Sequence, residues 1–305
     1  MNVTPQALNA IFTGFSTEFQ KAYDAVQPIW PQLASRITST GSRTVHGFLA
    51  KLPRMREWLG DRVIQNAETH AHTIENKNFE LTFSVSRNDI EDDSIGVYSP
   101  IIQAYAQQVA LYPDDLLLTA LMDGESTVCY DGQYFFDTDH PVNKYDSSSA
   151  SQQNYWSSGK ALSAANYTAV RAAMRAFKGE DGKSLRVNPK LLLVPPQLEE
   201  TAKRIVMADN TDNTAGTAGI TNVNKGTAEV LVLEDLADEA TTWYLLDTTK
   251  PVKPFVFQER QAARFFSDTS PDSESVKMKR QFMFGADTRG NVGHGLWFLA
   301  AKAVG

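Results

Sequence analysis

Residues 47–100 read GFLAKLPRMREWLGDRVIQNAETHAHTIENKNFELTFSVSRNDIEDDSIGVYSP, and the changes of character along this stretch decide the architecture. Phe79, Leu81, Phe83 and Val85 alternate with polar residues, the pattern of one face of a half-buried strand. From about Thr44 the chain is also strand-like, but between the two runs lies PRMREWLGDR, charged and polar around Trp58. Such a centre reads as a projecting loop between an outgoing and a returning strand. About 20 residues each way at roughly 3.3 Å per residue would carry the arm on the order of 60 Å, beyond the radius of a compact domain of this length. An arm of that reach has nothing of its own chain to pack on. Arg54, Arg56, Glu57, Trp58, Asp61 and Arg62 are therefore the candidate contact residues toward a partner, with the aromatic as anchor and the charges as rim. On a compact surface the same charges would be a solvated face worth little per pair.

Downstream of the arm, Ser99 and Pro100 mark a helix start, the serine as cap and the proline in the first turn. Ile101, Ile102, Tyr105, Val109, Leu116, Leu117, Ala120 and Leu121 continue an apolar stripe to Asp123 and Gly124, about 24 residues spanning roughly 36 Å. Pro113 interrupts it, so either a kink or a restart capped near Tyr112 is expected. Upstream, Leu8, Ile11, Phe12, Phe15 and Phe19 recur at helical spacing behind Thr4 as cap and Pro5, and Pro28 and Pro31 end that helix. Beyond a serine-rich stretch at 146–159 the chain reads as alternating helix and strand. Ser163 caps a helix closing at Gly179, 191–194 is a buried strand stopped by Pro195 and Pro196, and 198–208 is again helical. Residues 209–226 lack a core-facing pattern and read as a mobile surface loop. Strands are expected at 230–233, 243–246 and 255–257, and 277–303 reads as two more strands joined through ADTRGNVGHG.

The chain of 305 residues has 29 Lys and Arg against 36 Asp and Glu, a formal charge of −7, with 42% hydrophobic and 21% charged residues. These proportions exclude wholesale disorder and a disulfide-stapled mini-protein. The acidic balance argues against a nucleic-acid reader, which needs a basic surplus to release counterions. The one cysteine, Cys129, forms no internal bridge and reads as a small buried thiol. No signal peptide or membrane-spanning run of roughly 20 apolar residues is apparent.

Asp137, Asp139 and His140, in the run DTDHP, are the one cluster resembling an active site, two carboxylates and an imidazole able in principle to hold a divalent metal for assisted hydrolysis. Asx, Thr and Pro residues in succession also build a tight turn through side-chain to backbone hydrogen bonds, and that reading is preferred. His70 and His72 share one face of a strand, whereas His46 and His294 are isolated. There is no nucleophile elbow, Walker lysine or dinucleotide fingerprint. Gly285, Gly290, Gly293 and Gly295 suit hairpins and bulges. No catalytic residue and no cofactor is expected.

The segment quoted above, together with CYDGQYFFDTDHP at 129–141, KPFVFQER at 253–260 and GADTRGNVGHGLWFLAAKA at 285–303, resembles the major head subunit of Mu-like tailed phages and prophages over nearly the whole chain. The resemblance implies an α+β fold, that of tailed-phage capsids and the herpesvirus capsid floor. Its parts would be an N-terminal arm at 1–45, an extended loop at 46–93, a peripheral domain with a long spine helix at 94–140 and 250–305, and an axial domain at 141–249. It implies a structural protein, not an enzyme, that self-assembles into hexamers and pentamers of an icosahedral head enclosing double-stranded DNA. The virion would be assembled in the host bacterial cytoplasm. The chain has no room for a leading scaffolding segment, so a separate scaffold and protease is expected, with a portal and a candidate decoration protein as further partners and no membrane. The competing readings are a metal-assisted hydrolase at Asp137, Asp139 and His140, and another self-assembling phage component such as a tail tube or sheath subunit.

Overall fold

The structure, a computed structural model, describes residues 4–49, 69–92, 95–144, 146, 148–210, 220–270 and 273–305. Its first helix, α1 (Pro5–Ala25), starts as its residues dictate: the Thr4 hydroxyl accepts the Ala7 N–H at 3.2 Å and proline fills the first turn. Pro28 lies in the break that follows, but Pro31 does not prolong it. It occupies the first turn of a short helix, α2 (Trp30–Leu33), where its missing donor costs nothing.

Strand β1 (Ala34–Thr38) leads into the projecting pair β2 (Arg43–Leu49) and β3 (Thr69–Glu75), and β4 (Lys77–Ser86) and the short α3 (Arg87–Glu91) follow. Helix α4 (Ser99–Met122) has the expected 24 residues. Ser99 is nevertheless not its cap. The hydroxyl donates to Glu18 of α1 at 2.6 Å, which ties the first helix to the start of the long one. Two-residue pieces β5 (His140–Pro141), β6 (Ser151–Gln152) and β7 (Tyr155–Trp156) precede α5 (Ala164–Ala176), whose Ser163 cap accepts the Asn166 N–H. Next come β8 (Leu191–Val194), α6 (Glu199–Val206), β9 (Glu229–Val232), β10 (Thr242–Leu246), β11 (Phe255–Asp268), α7 (Glu274–Lys279), β12 (Gln281–His294) and β13 (Ala300–Val304).

Two sheets organise these elements. One has the order β1-β11-β12-β4 and the other β7-β13-β10-β8-β9. Pairing crosses the segment boundaries read from sequence. β1, from the range assigned to the arm, runs parallel to β11; β4, from the range assigned to the loop, pairs with β12; and β13, at the chain end, lies between β10 and β7. A boundary drawn along the chain cannot register strands that complete a sheet begun more than 200 residues away.

The run 277–303 is not a hairpin joined through ADTRGNVGHG. Residues 281–294 are one 14-residue strand between β11 and β4. Its glycines serve close approach, not turning: a Cβ on Gly290 would stand 2.6 Å from the Gln258 carbonyl oxygen, and one on Gly293 2.6 Å from Ile74. The expected loop at 209–226 is also only partly a loop without anchors. Asn222 is buried, and its amide donates to the carbonyls of Ile205 at 2.8 Å and Ala208 at 3.0 Å. Residues 211–219 lie outside the described residues.

The interior forms two main cores, and α4 belongs to both. Ile102, Ala106 and Val109 pack with Phe15, Phe19, Phe83 and Phe284 from α1, β4 and β12, whereas Leu117, Ala120 and Leu121 pack with β8, β10, β13 and α5. Phe284 stands between Phe15 at 5.1 Å and Phe83 at 5.8 Å, spacings at which ring edges and faces attract. The helix runs unbroken through the buried Pro113, so no restart at Tyr112 occurs. Packing on both sides of the proline holds the helical path despite the lost backbone donor.

Leu117 and Leu121 are 4% and 1% exposed. Replacing either by Ala should lower subunit stability by about 2–5 kcal/mol, as expected for a buried leucine. Thermal and denaturant unfolding measure this, and wild-type behaviour in both variants would refute the assignment of the stripe to the core.

Candidate functional sites

The DTDHP run places its three titratable residues in different environments. His140 is wholly buried, its ring stacked on Trp297 at 3.9 Å and 4°. Nδ1 lies 2.6 Å from Oδ2 of the buried Asp131 and Nε2 lies 3.2 Å from Oδ1 of Asn154. The Asn154 amide has its orientation fixed on both sides. Its nitrogen donates to the carbonyls of Phe135 at 2.8 Å, Trp297 at 3.2 Å and Ala300 at 3.1 Å, and its oxygen accepts the Asp137 N–H at 2.9 Å. Nε2 therefore carries a hydrogen and donates. Both ring nitrogens are occupied, and neither is open to a metal or a substrate.

Asp137 folds its carboxylate onto the backbone, accepting the Tyr134 N–H at 3.1 Å and the Thr138 N–H at 2.7 Å, which is the Asx turn that such a sequence favours. Asp139 faces solvent. Burial, and then the Asp137 carboxyl that hydrogen-bonds and repels it, hold its own carboxyl above the ordinary aspartate range. The three residues thus do not converge on a common point. Among the described residues no group of three His, Cys, Asp or Glu is arranged to hold a metal ion. Asp131 and Asn154, which complete the cluster, stand 9 and 14 residues from His140, and no motif spacing marks them. Cys129 is buried, and that burial pushes its thiol far up, leaving it protonated and inert. His294 is a structural group too. Buried between Phe135 and Phe255, it donates from Nε2 to the Ala120 carbonyl at 2.7 Å, in the last turn of α4.

Polar ties of this kind recur along the second half of α4. The Asp114 carboxylate accepts the N–H groups of Ile29 at 2.9 Å and Trp30 at 2.6 Å, capping α2; burial raises its pKa and those two hydrogen bonds oppose the rise. Just past the helix, Glu125 pairs with Lys302 of β13, a lysine only 6% exposed whose ammonium lies 5.8 Å and 5.6 Å from the ring centres of Tyr155 and Tyr244. Burial, a hydrogen bond from its own hydroxyl to Glu125 and the charge of Glu125 push Tyr155 up to about 12.

The other candidate feature is the projecting pair. β2 and β3 run antiparallel over seven paired positions from Arg43↔Glu75 to Leu49↔Thr69, with His46 across from His72 and Phe48 across from His70. Asn76 then ends the pair. Its amide donates to Ser39 at 2.9 Å and to the Gly41 carbonyl at 2.8 Å, so the returning run splits into β3 in the projection and β4 in the sheet. The candidate contact residues Arg54, Arg56, Glu57, Trp58, Asp61 and Arg62 lie outside the described residues.

Comparison with known proteins follows the same outline. The family described as the Mu-like prophage major head subunit gpT matches residues 8–161, 148–236 and 233–304. The major capsid protein of Escherichia phage Mu is 30% identical over 305 residues, all of this chain and 76% of the phage protein. Among solved structures, a chain of the procapsid of bacteriophage JBD30 superposes with a TM-score of 0.61 at 31% identity, covering 99% of this chain and 76% of that one. A chain from the JBD30 capsid decorated with minor capsid protein trimers gives 0.54 at 29% identity, over 67% of this chain and 89% of that one.

Replacing His140 by Ala removes a fully buried ring and strands Asp131. Stability should fall by about 3–5 kcal/mol, the cost of breaking a buried pair. Asp139→Ala, on the surface, should shift stability by less than about 0.5 kcal/mol. Paired thermal melts decide this. A solvent-facing His140 would show two similar, small effects.

Proposed function

Since the chain belongs to the Mu-like prophage major head subunit family and is a structural capsid protein of the phage virion, not an enzyme, we propose that it builds an icosahedral head from hexamers and pentamers of itself. Among the described residues, the observation that supports this most directly is the β2–β3 pair, which forms a two-stranded sheet of its own and belongs to neither of the two larger sheets. An isolated two-stranded pair is only marginally stable in water, and a partner that packs on it turns it into a joint of an assembly. Arg54, Arg56, Glu57, Trp58, Asp61 and Arg62 are then contacts to an adjacent copy, Trp58 as the desolvated anchor and the charges as the elements that set register.

In this reading the N-terminal arm is 1–45, the extended loop 46–93, the peripheral domain 94–140 with 250–305, and the axial domain 141–249, with β1, β4 and β13 each pairing with strands of another segment and so binding those parts together. Rings of subunits repeat one heterologous contact around an axis until it closes. The net charge of −7 suits a wall that encloses double-stranded DNA without gripping its phosphates. A separate scaffold and protease, a portal, and a decoration protein like the trimers on the JBD30 capsid are the partners this reading assigns, with assembly in the host bacterial cytoplasm.

Co-expression of the subunit with the scaffold protein of its own phage, followed by electron microscopy, tests the reading. Closed shells are expected. Open tubes or stacked discs would point instead to a tail tube or sheath component.

A further inference from the structure

The five-stranded sheet ends on one side at β9, whose outer edge is open among the described residues. In the parallel pairing with β8, the Glu229 N–H donates to the Lys190 carbonyl at 2.8 Å and the Leu233 N–H to the Val194 carbonyl at 3.0 Å. Alternation along the strand turns the N–H and C=O groups of Val230 and Val232 the other way. No strand lies on that side among the described residues. Val230, Leu231 and Val232 are half-buried, and neither a proline nor a charge among them discourages pairing with a further strand. The strand is nonetheless well supported. Ala202, Ile205 and Val206 of α6 lie in the same core against which those three residues pack.

At the start of β9 the edge meets a cavity of about 740 Å3, lined among others by Lys190, Leu191, Glu229, Thr248, Thr249 and Lys253. Lys253 is anchored: its backbone N–H donates to the Ser35 hydroxyl at 2.9 Å and its ammonium to the Pro31 carbonyl, neither of which neutralises its charge. Lys190 has no acidic partner among the described residues either. The Asp247 carboxylate, next to Thr248 in sequence, is buried and bound to the N–H groups of Asn188 at 2.8 Å and Thr249 at 3.0 Å. Two lysines against the exposed Glu229 leave the lining with a positive surplus, in a chain whose net charge is −7.

We propose that the open edge of β9 and the lysine cavity at its start together receive an extended acidic segment of a separate polypeptide, which adds as a sixth strand and seats a carboxylate beside Lys190 and Lys253. Main-chain hydrogen bonds to Val230 and Val232 supply the attachment, and the two ammonium groups select for acidic character. The occupant is a separate polypeptide because the acidic run of this chain at 234–239, EDLADE, is already folded. The N–H groups of Leu236, Ala237 and Glu239 bond to the carbonyls of Leu233, Glu234 and Leu236, so the run has no extended backbone to lay along an edge. Such a seat goes beyond the capsid reading and is independent of it.

Anisotropy titration of the unassembled full-length subunit with fluorescein-labelled Glu-Thr-Val-Thr-Val-Glu, and with Lys-Thr-Val-Thr-Val-Lys, tests the proposal. A charge at each end serves either strand direction. Saturable binding of the acidic peptide is expected, at least about tenfold tighter than that of the basic one, and Lys190→Glu should abolish the preference. Val230→Pro removes an N–H that the ladder with β8 does not use, so the variant should melt as the wild type does and fail to bind. Should it melt early, methylation of the peptide decides. Of two acidic peptides, N-methylated on both valines or on both threonines, one should bind and the other should not, because only alternate N–H groups of an added strand face β9. No binding at all, equal binding of the acidic and basic peptides, a preference that survives Lys190→Glu, or like behaviour of the two methylated forms overturns the proposal. Self-association of the subunit that Val230→Pro abolishes would put a second copy on the edge and overturn it as well.

Discussion

One helix serves two interiors, and the rest of the subunit is arranged around that constraint. The first half of α4 is packed by α1 and the four-stranded sheet, the second half by the five-stranded sheet and α5, and the change of partner falls at the buried Pro113. A helix shared in this way fixes the relation between the two sheets only if its second half cannot slip. Three polar ties prevent that: Asp114 to the start of α2, His294 to the Ala120 carbonyl, and Glu125 to Lys302. Each joins α4 or the turn after it to a different element. All three are wholly or partly withdrawn from water, where polar pairs exact a high cost if broken.

The turn after α4 repeats this logic on a smaller scale. Gly124 lies under Phe136, with a Cβ there coming to 2.5 Å of the ring. Phe135 and Phe136 then enter the core, while His140, Asp131 and Asn154 satisfy one another and the surrounding carbonyls. A side chain such as Asn154, with four groups of neighbouring segments on its amide and an imidazole besides, replaces the backbone ladder that a regular element would supply. The outward side of this same framework bears Val128 and Tyr134. Rigidity below and exposure above come from one set of hydrogen bonds.

What the sequence disclosed, and what it hid, divides along the range of the forces involved. The apolar stripe of α4, the Thr4 and Ser163 caps, the alternation ending at Val85 and the turn at Asp137 are all local, set by residues within a few positions of each other, and all are found. The hydroxyl of Ser99 meets Glu18 from another helix, so a cap signature proved to be a tertiary hydrogen bond. The glycines of β12 looked like turn residues, but their purpose lies in Gln258 and Ile74, far off in the chain and next to them in space. Asp131 and Asn154 carried no signal at all. Burial and orientation give them their role, and neither is written in spacing. Likewise, the exchange of β1, β4 and β13 between segments is a matter of which strands meet, which alternation along one strand does not specify.

The order of the strands also governs when, during synthesis, a subunit exists. The four-stranded sheet needs β11 and β12, and the five-stranded sheet needs β13, so both wait on residues 255–304. Until these emerge, β1 and β4 have no central strands to join, and Phe83 and Val85 lack the β12 side of their core. Contacts this distant along the chain close late and slowly. A polypeptide that stops before residue 255 is thus left without the central strands of the first sheet and with only β8, β9 and β10 paired in the second. The late strands are the closing step of both interiors, and the order of synthesis sets the order in which the two cores can be sealed from water.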